Sequence, residues 1–263
     1  MSKFSQIDIK PELDSATNPR IGLIALSTDF TIEQDYRRIC HNLPLDIFVN
    51  RIPFNNPLNH ENYLKMSDYL PNIAKNILPD QELNTVAYGC TSGTVAMGES
   101  VIANQIKKSK PNTYVTTPIT AALKAFTKLN IKKISILTPY PKPVNETVFN
   151  YFLKNNIEVL NFSSFNLNYD SEIAMVKPDH IVETIYKMNH EGSDAIFVSC
   201  TALRIVEVLQ KAEDEIKKTI ISSNQSIIWD SIRSININDK ITNFGKLLRS
   251  EEHTSELQSP LDI

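Results

Sequence analysis

The chain has 263 residues, 41% of them hydrophobic and 22% charged, with a formal net charge of −3. That length can bury a sizeable core, and the composition is that of an ordinary globular protein. No run approaches the roughly 18 apolar residues of a membrane span. Three cysteines without a C-x₂-C pair or histidines at ligand spacing argue against a disulfide framework or a zinc site and for reduced thiols.

Residues 1–19 are polar and read as a flexible leader without an apolar signal core, so a cytoplasmic location is expected. From residue 20 the chain alternates short apolar runs with amphipathic stretches. Strands are expected at 21–26, 46–49, 85–88, 113–116, 134–137, 157–160, 195–198 and 219–222. Helices are expected at 32–40, 61–77, 95–108, 119–129, 144–154, 178–190, 203–217 and 227–235. This alternation predicts an α/β fold with parallel strands.

The eight strands fall into two sets of four in the same order, which predicts a duplicated domain. The expected architecture is two similar four-stranded parallel α/β lobes with an active site in the cleft between them. Residues 20–117 plus 224–248 form the first lobe and residues 118–223 the second. Residues 249–263, including Glu251-Glu252-His253-Thr254-Ser255-Glu256-Leu257-Gln258, read as the translation of a sequencing-library adapter. Removing their one basic and four acidic residues from 27 and 30 leaves 26 of each. A neutral body makes nucleic acid and anionic membrane surfaces unexpected partners.

The chemistry is expected in two copies of one device. Tyr88-Gly89-Cys90-Thr91-Ser92-Gly93-Thr94 and Val198-Ser199-Cys200-Thr201-Ala202-Leu203-Arg204 each follow an apolar run and precede a helical pattern. At a strand-to-helix junction Ser or Thr caps the helix, whose N-terminal field lowers a neighbouring thiol's pKa. Thr201 is the expected cap in the second copy. Two such thiols at equivalent positions of duplicated halves would meet across a cleft, while Cys40 reads as helix packing. Only six glycines and no G-x-G-x-x-G or Walker loop argue against a nucleotide cradle, and no cofactor or metal is expected. The histidines His41, His60, His180 and His190 read as solvated or structural.

With these residues in place the chain resembles the aspartate/glutamate racemase superfamily, in the branch that holds maleate isomerase, arylmalonate decarboxylase and the ectoine-utilisation proteins. The likeness spans residues 20–235. It rests on both cysteine motifs, Thr116-Thr117-Pro118-Ile119-Thr120-Ala121-Ala122, Leu137-Thr138-Pro139-Tyr140, and Ser222-Ser223-Asn224-Gln225 followed by Trp229. Thr28-Asp29-Phe30-Thr31-Ile32-Glu33 is most similar to the ectoine-utilisation subgroup.

The resemblance implies a cofactor-independent isomerase with Cys90 and Cys200 as catalytic pair and a small carboxylate or amino-acid derivative as substrate. Two reactions stay open. In a racemase one thiolate removes an α-proton and the other thiol reprotonates the opposite face; in a maleate-type cis–trans isomerase Cys90 adds to the double bond and Cys200 is the acid and base. A non-catalytic metabolite-binding protein is the third reading.

Thr91, Ser92, Tyr140, Asp170 and Thr201 are implied substrate contacts, and the relatives suggest a homo-oligomer. Asn224 and Trp229 are expected to brace the last strand and helix, and Arg204 to clamp a carboxylate or bridge the lobes. Asp29 stands near a position where maleate isomerases carry a carboxylate-binding asparagine, and Asp170 near a second such asparagine. A carboxylate there would repel a dicarboxylate by roughly 4 kcal/mol at 4 Å and an effective dielectric near 20, and would suit an ammonium or amide group. Otherwise Asp29 caps the helix that begins near Ile32.

Overall fold

Eight parallel strands form two separate sheets whose strand order is the same in both halves. The computed structural model describes residues 4–13 and 18–250, so most of the expected adapter-derived tail, 251–263, lies outside the described residues. In chain order the elements of the first half are β1 (Arg20–Leu26), α1 (Ile32–Cys40), β2 (Asp46–Ile52), α2 (His60–Leu64), a 3₁₀ turn (Lys65–Tyr69), α3 (Leu70–Lys75), β3 (Thr85–Gly89), α4 (Thr91–Met97), α5 (Glu99–Lys107) and β4 (Tyr114–Thr116). After α6 (Pro118–Lys128) come β5 (Lys133–Thr138), α7 (Lys142–Lys154), β6 (Glu158–Ser164), α8 (Asp170–Ala174), α9 (Pro178–Met188), β7 (Ala195–Val198), α10 (Leu209–Ile216), β8 (Thr219–Ser222), α11 (Ser223–Ser234) and α12 (Lys246–Arg249).

The sheets run β2-β1-β3-β4 and β6-β5-β7-β8, all parallel. Their central strands are continuous apolar runs because helices cover both faces. Thr85–Gly89 and Ala195–Val198 are buried throughout. In the second half Phe126, Phe152 and Phe197 meet with ring centroids 5.3–5.9 Å apart.

The halves join through two helices that leave equivalent strands. Thr117 opens α6 and Ser222 opens α11, each with a capping box completed by the residue three places on, Thr120 or Gln225. These two helices pack on each other, and α11 also touches α1, β3, β4 and β8, so it spans the seam. Both sheets therefore present the ends of β3 and β7 to one cleft, where open α/β sheets bind ligands.

All eight expected strands are present, but the helices differ more: α11 starts four residues before the expected 227, α8 and α12 have no counterpart in the sequence reading, and three further stretches depart for local reasons. The stretch 61–77 is split into α2, the 3₁₀ turn and α3 because Pro71, in the first turn of α3, has no N–H to continue the ladder. The stretch 95–108 begins earlier, at Thr91, and breaks at Gly98, whose φ of +87° a side chain would resist. The stretch 203–217 starts only at Leu209. Before it, the carbonyls of Thr201 and Ala202 accept from Asn224 Nδ2 (2.8 Å) and Thr31 Oγ1 (2.9 Å). Those carbonyls face other elements, and the loop cannot wind into a helix. Among the described residues no helix is long and apolar enough to cross a membrane.

Candidate active site

The first thiol is set by a strand that ends where a helix begins. Cys90 follows β3 in extended conformation and is itself the cap of α4, in place of the expected Ser or Thr: its Sγ accepts the Gly93 N–H at 3.2 Å. A Cβ at position 93 would come within 2.8 Å of that sulfur, so glycine permits the approach. Burial nevertheless outweighs the bond and pushes the Cys90 thiol up to about 12, with the Asp170 and Asp29 carboxylates raising it further. The helix terminus therefore does not bring this thiol down as the sequence leads one to expect.

The second thiol sits differently. Cys200 follows β7 by two residues with φ of +96°, a strained region for a side-chain-bearing residue, and no helix starts behind it. Thr201 therefore caps nothing; its hydroxyl reaches back to the Gly89 carbonyl at 3.4 Å. The Cys200 N–H donates to Ser223 Oγ at 3.0 Å, and the same oxygen accepts the Thr91 hydroxyl at 2.8 Å. One serine on α11 thus ties the two cysteine loops together. Burial and the charges of Asp170 and Asp29 push the Cys200 thiol up, against the Ala202 N–H.

The remaining expected residues converge on these sulfurs. Asp29 and Asp170 are 1% and 3% exposed, and each acts on both thiols and on the other. Asp29 Oδ1 accepts the N–H groups of Thr31 (2.7 Å) and Ile32 (3.0 Å), so one oxygen holds the entry to α1, although the N-cap itself is Thr31. Its Oδ2 is buried beside Thr201 with no hydrogen bond.

Asp170, at the start of α8, accepts the Thr28 hydroxyl at 2.5 Å across the seam. Burial raises both carboxyls, Asp170 to about 6. Tyr140 lies with its hydroxyl 3.2 Å from Ser199 Oγ and faces both thiols. Ser92 lies beside Cys90, whereas the Thr91 hydroxyl is committed to Ser223 and joins the lobes. Asn224, expected to brace the last strand and helix, instead braces the Cys200 loop, while Arg204 Nε is buried without a partner.

Two residues of the site have no counterpart in the sequence reading. Tyr63, absorbed into one long amphipathic helix, is 1% exposed; its hydroxyl makes no hydrogen bond and faces Ser92, Cys90, Cys200 and Asp170. It also borders a cavity of about 280 Å³ with Pro57, Leu58, Pro141 and Val144. Thr28 was quoted only as part of a motif, yet it holds Asp170. The periodicity around Tyr63 signals burial and says nothing of a hydroxyl left over. Among the described residues no group of three or more His, Cys, Asp or Glu side chains is arranged to hold a metal ion.

Comparison with known proteins follows this geometry. A family model described as arylmalonate decarboxylase matches residues 58–248. A maleate isomerase of Alcaligenes faecalis is 24% identical over 242 residues, covering 87% of this chain and 96% of that protein. The maleate isomerase Iso of Pseudomonas putida S16, solved with maleate, superposes with a TM-score of 0.81 at 20% identity, over 88% of this chain and 98% of that one. A Nocardia farcinica maleate cis-trans isomerase mutant, solved with a covalently bound succinylcysteine intermediate, gives 0.81 at 17% identity with the same coverage. At these identities the structural likeness shows the fold.

Proposed function

We propose, from the premise that this chain belongs to the arylmalonate decarboxylase family, that it is a cofactor-independent two-cysteine isomerase whose reaction is of the maleate cis–trans type. The observation that carries the reading is the pair of buried thiols at equivalent strand ends, both facing Asp29 and Asp170. The similarity to maleate isomerases and the succinylcysteine intermediate of one of them favour addition to a double bond over racemisation.

In this reaction the Cys90 thiolate adds to one carbon of the double bond. The displaced electron pair collects on the neighbouring carbon, next to the carboxylate, and takes the proton of the Cys200 thiol. The former double bond, now single, rotates. Cys200, now a thiolate, removes the proton again, the double bond re-forms in the trans geometry and Cys90 leaves as thiolate. The Gly93 N–H steadies the sulfur each time it carries charge. Burial raises both thiols, so the Cys90 thiolate must form against that cost, with the Gly93 N–H offsetting part of it.

Maleate in D₂O followed by proton NMR tests the reading. Wild type should yield fumarate, Cys90→Ala none, and Cys200→Ala an adduct detected as a mass gain of one maleic acid. The racemase reading, with an ectoine-type amino-acid derivative, uses the same thiols and is favoured by the two acidic groups beside them. Of the motif behind it only Thr28 and Asp29 face the site; Thr31 holds Ala202 and Glu33 pairs with Arg51. Deuterium at an α-carbon, without fumarate from maleate, would assign racemisation instead.

A further inference from the structure

The acceptors and donors around the two sulfurs are unequally distributed. Asp29 and Asp170 are buried acceptors, and the cation acting on Asp29, Arg51, points its guanidinium at the Leu26 and Asp29 carbonyls and at Glu33. Asp29 Oδ2 has no well-formed hydrogen bond, the Thr201 hydroxyl beside it being turned to the Gly89 carbonyl, although a buried carboxylate oxygen without a donor is costly. The Tyr63 hydroxyl, which faces Ser92, both thiols and Asp170, is a second buried group without a well-formed hydrogen bond, and it can donate. A ligand that completes this site therefore brings an N–H donor to Asp29 Oδ2 and an acceptor to the Tyr63 hydroxyl. A dicarboxylate brings two acceptors, one of which would face the aspartates.

Resting on the two-thiol reading above, we propose that Asp29 and Asp170 form a receptor for a substrate nitrogen, so that the preferred substrate is a short unsaturated carboxylate whose far end is a primary amide or an ammonium group. Asp29 reaches the ligand through Oδ2 while Oδ1 stays on the α1 N–H groups. Thr28, next to Asp29 in the chain, holds Asp170 and brings the second carboxyl to the same place across the seam. Protonated, the pair would donate to a dicarboxylate instead. Burial, the largest influence on both carboxyls, works toward that state, and the two backbone N–H groups on Asp29 and the Thr28 hydroxyl on Asp170 work against it, so the succinate titration decides which state receives the ligand. An ammonium group seated there would also cancel part of the negative field that acts on both thiols.

Calorimetric titration with saturated probes, which cannot react, tests this apart from catalysis. Succinate, succinamate and 4-aminobutanoate are compared at pH 7.5 on wild type, Asp29→Asn, Asp170→Asn and the double variant. Asparagine at 29 still accepts the α1 N–H groups, so the fold is kept. At least one nitrogen-bearing probe should bind wild type ten-fold or more tighter than succinate, and the double variant should reduce that preference to within about threefold. The succinamate and 4-aminobutanoate arms distinguish amide from ammonium. Equal or tighter binding of succinate, a preference that survives the double variant, or no binding of either nitrogen probe overturns the proposal. The isomerase reading fails on a different result: no turnover of maleate, maleamate or (Z)-4-aminobut-2-enoate by wild type, whatever the probes bind.

Discussion

The two cysteine loops occupy the same place in duplicated halves and are built by different physics. Cys90 has an extended backbone, caps a helix and has an N–H donor aimed at its sulfur. Cys200 has a left-handed backbone, caps nothing, and is held by bonds from elsewhere: Ser223 on its own N–H, Asn224 and Thr31 on the two carbonyls that follow. The two sheets share the position of the thiol and differ in how it is supported. Each sulfur has a backbone N–H beside it, from Gly93 or from Ala202, so the loops differ in how they are held: a thiol built into a helix cap suits a group that carries charge repeatedly, whereas a clamped loop suits an acid that must be placed accurately.

The largest expected effect breaks the pair by removing either sulfur. Cys90→Ala and Cys200→Ala should each lower turnover by on the order of 10³-fold or more, and the asymmetry lies in what accumulates. A covalent adduct is expected in Cys200→Ala and in no Cys90 variant, as read by intact mass spectrometry. Adduct formation on Cys200 would reverse the roles assigned to the two loops.

Next comes the serine that joins the loops. Ser223→Ala removes the acceptor of the buried Cys200 N–H and of the Thr91 hydroxyl, at a cost of about 1–3 kcal/mol in denaturant unfolding. Because the bond fixes Cys200 and leaves Cys90 on its own cap, kcat should fall more than KM rises. A matching loss of stability with kcat unchanged would show that the clamp serves only the fold.

How much of this was legible follows the range of the forces involved. Eight strands, their twofold order and both thiol positions came from local apolar runs. The spacing of Leu203, Val206 and Leu209 correctly marks buried residues, at 0%, 2% and 1% exposure. It could not distinguish a helix from a pinned turn, because the pins come from Thr31 and Asn224, 171 and 23 residues away. Ser223 and Tyr63 were illegible for the same reason: their polar atoms acquire meaning only across the seam. The Cys90 thiol was misjudged because the helix terminus is visible in sequence and the burial that outweighs it is not.

Support for the Cys200 loop also carries a pH signature that the Cys90 loop lacks. Asn224 Nδ2 donates both to Thr201 O and to Asp35 Oδ2, each at 2.8 Å, and burial raises the Asp35 carboxyl to about 7 despite Arg38 and Asn224. A carboxyl whose folded pKa lies above its unfolded one binds more protons when folded. Stability from this group is therefore lost as pH rises from about 4 to about 7. Asp35→Asn should remove that slope, by a few kcal/mol at most, so unfolding curves of wild type and variant should diverge across the window. Parallel curves would mean that Arg38 and Asn224 already hold Asp35 ionised.

The smallest effect concerns the outer latch of the same loop. Arg38 on α1 bridges Asp35 at 2.9 Å and reaches Glu207, in the loop after Cys200, at 3.4 Å. Both outer partners are about a third exposed, so solvent screens the bridge and its worth is about 0.2–1 kcal/mol. Glu207→Gln should shift stability by no more than that, lose the shift in high salt, and leave adduct formation at Cys90 untouched. A larger effect on Cys200-dependent turnover than on stability would mean that the clamp from Ser223, Asn224 and Thr31 does not hold the loop alone. It would make the surface pair a fourth support that the Cys90 loop, already anchored by its helix, has no need of.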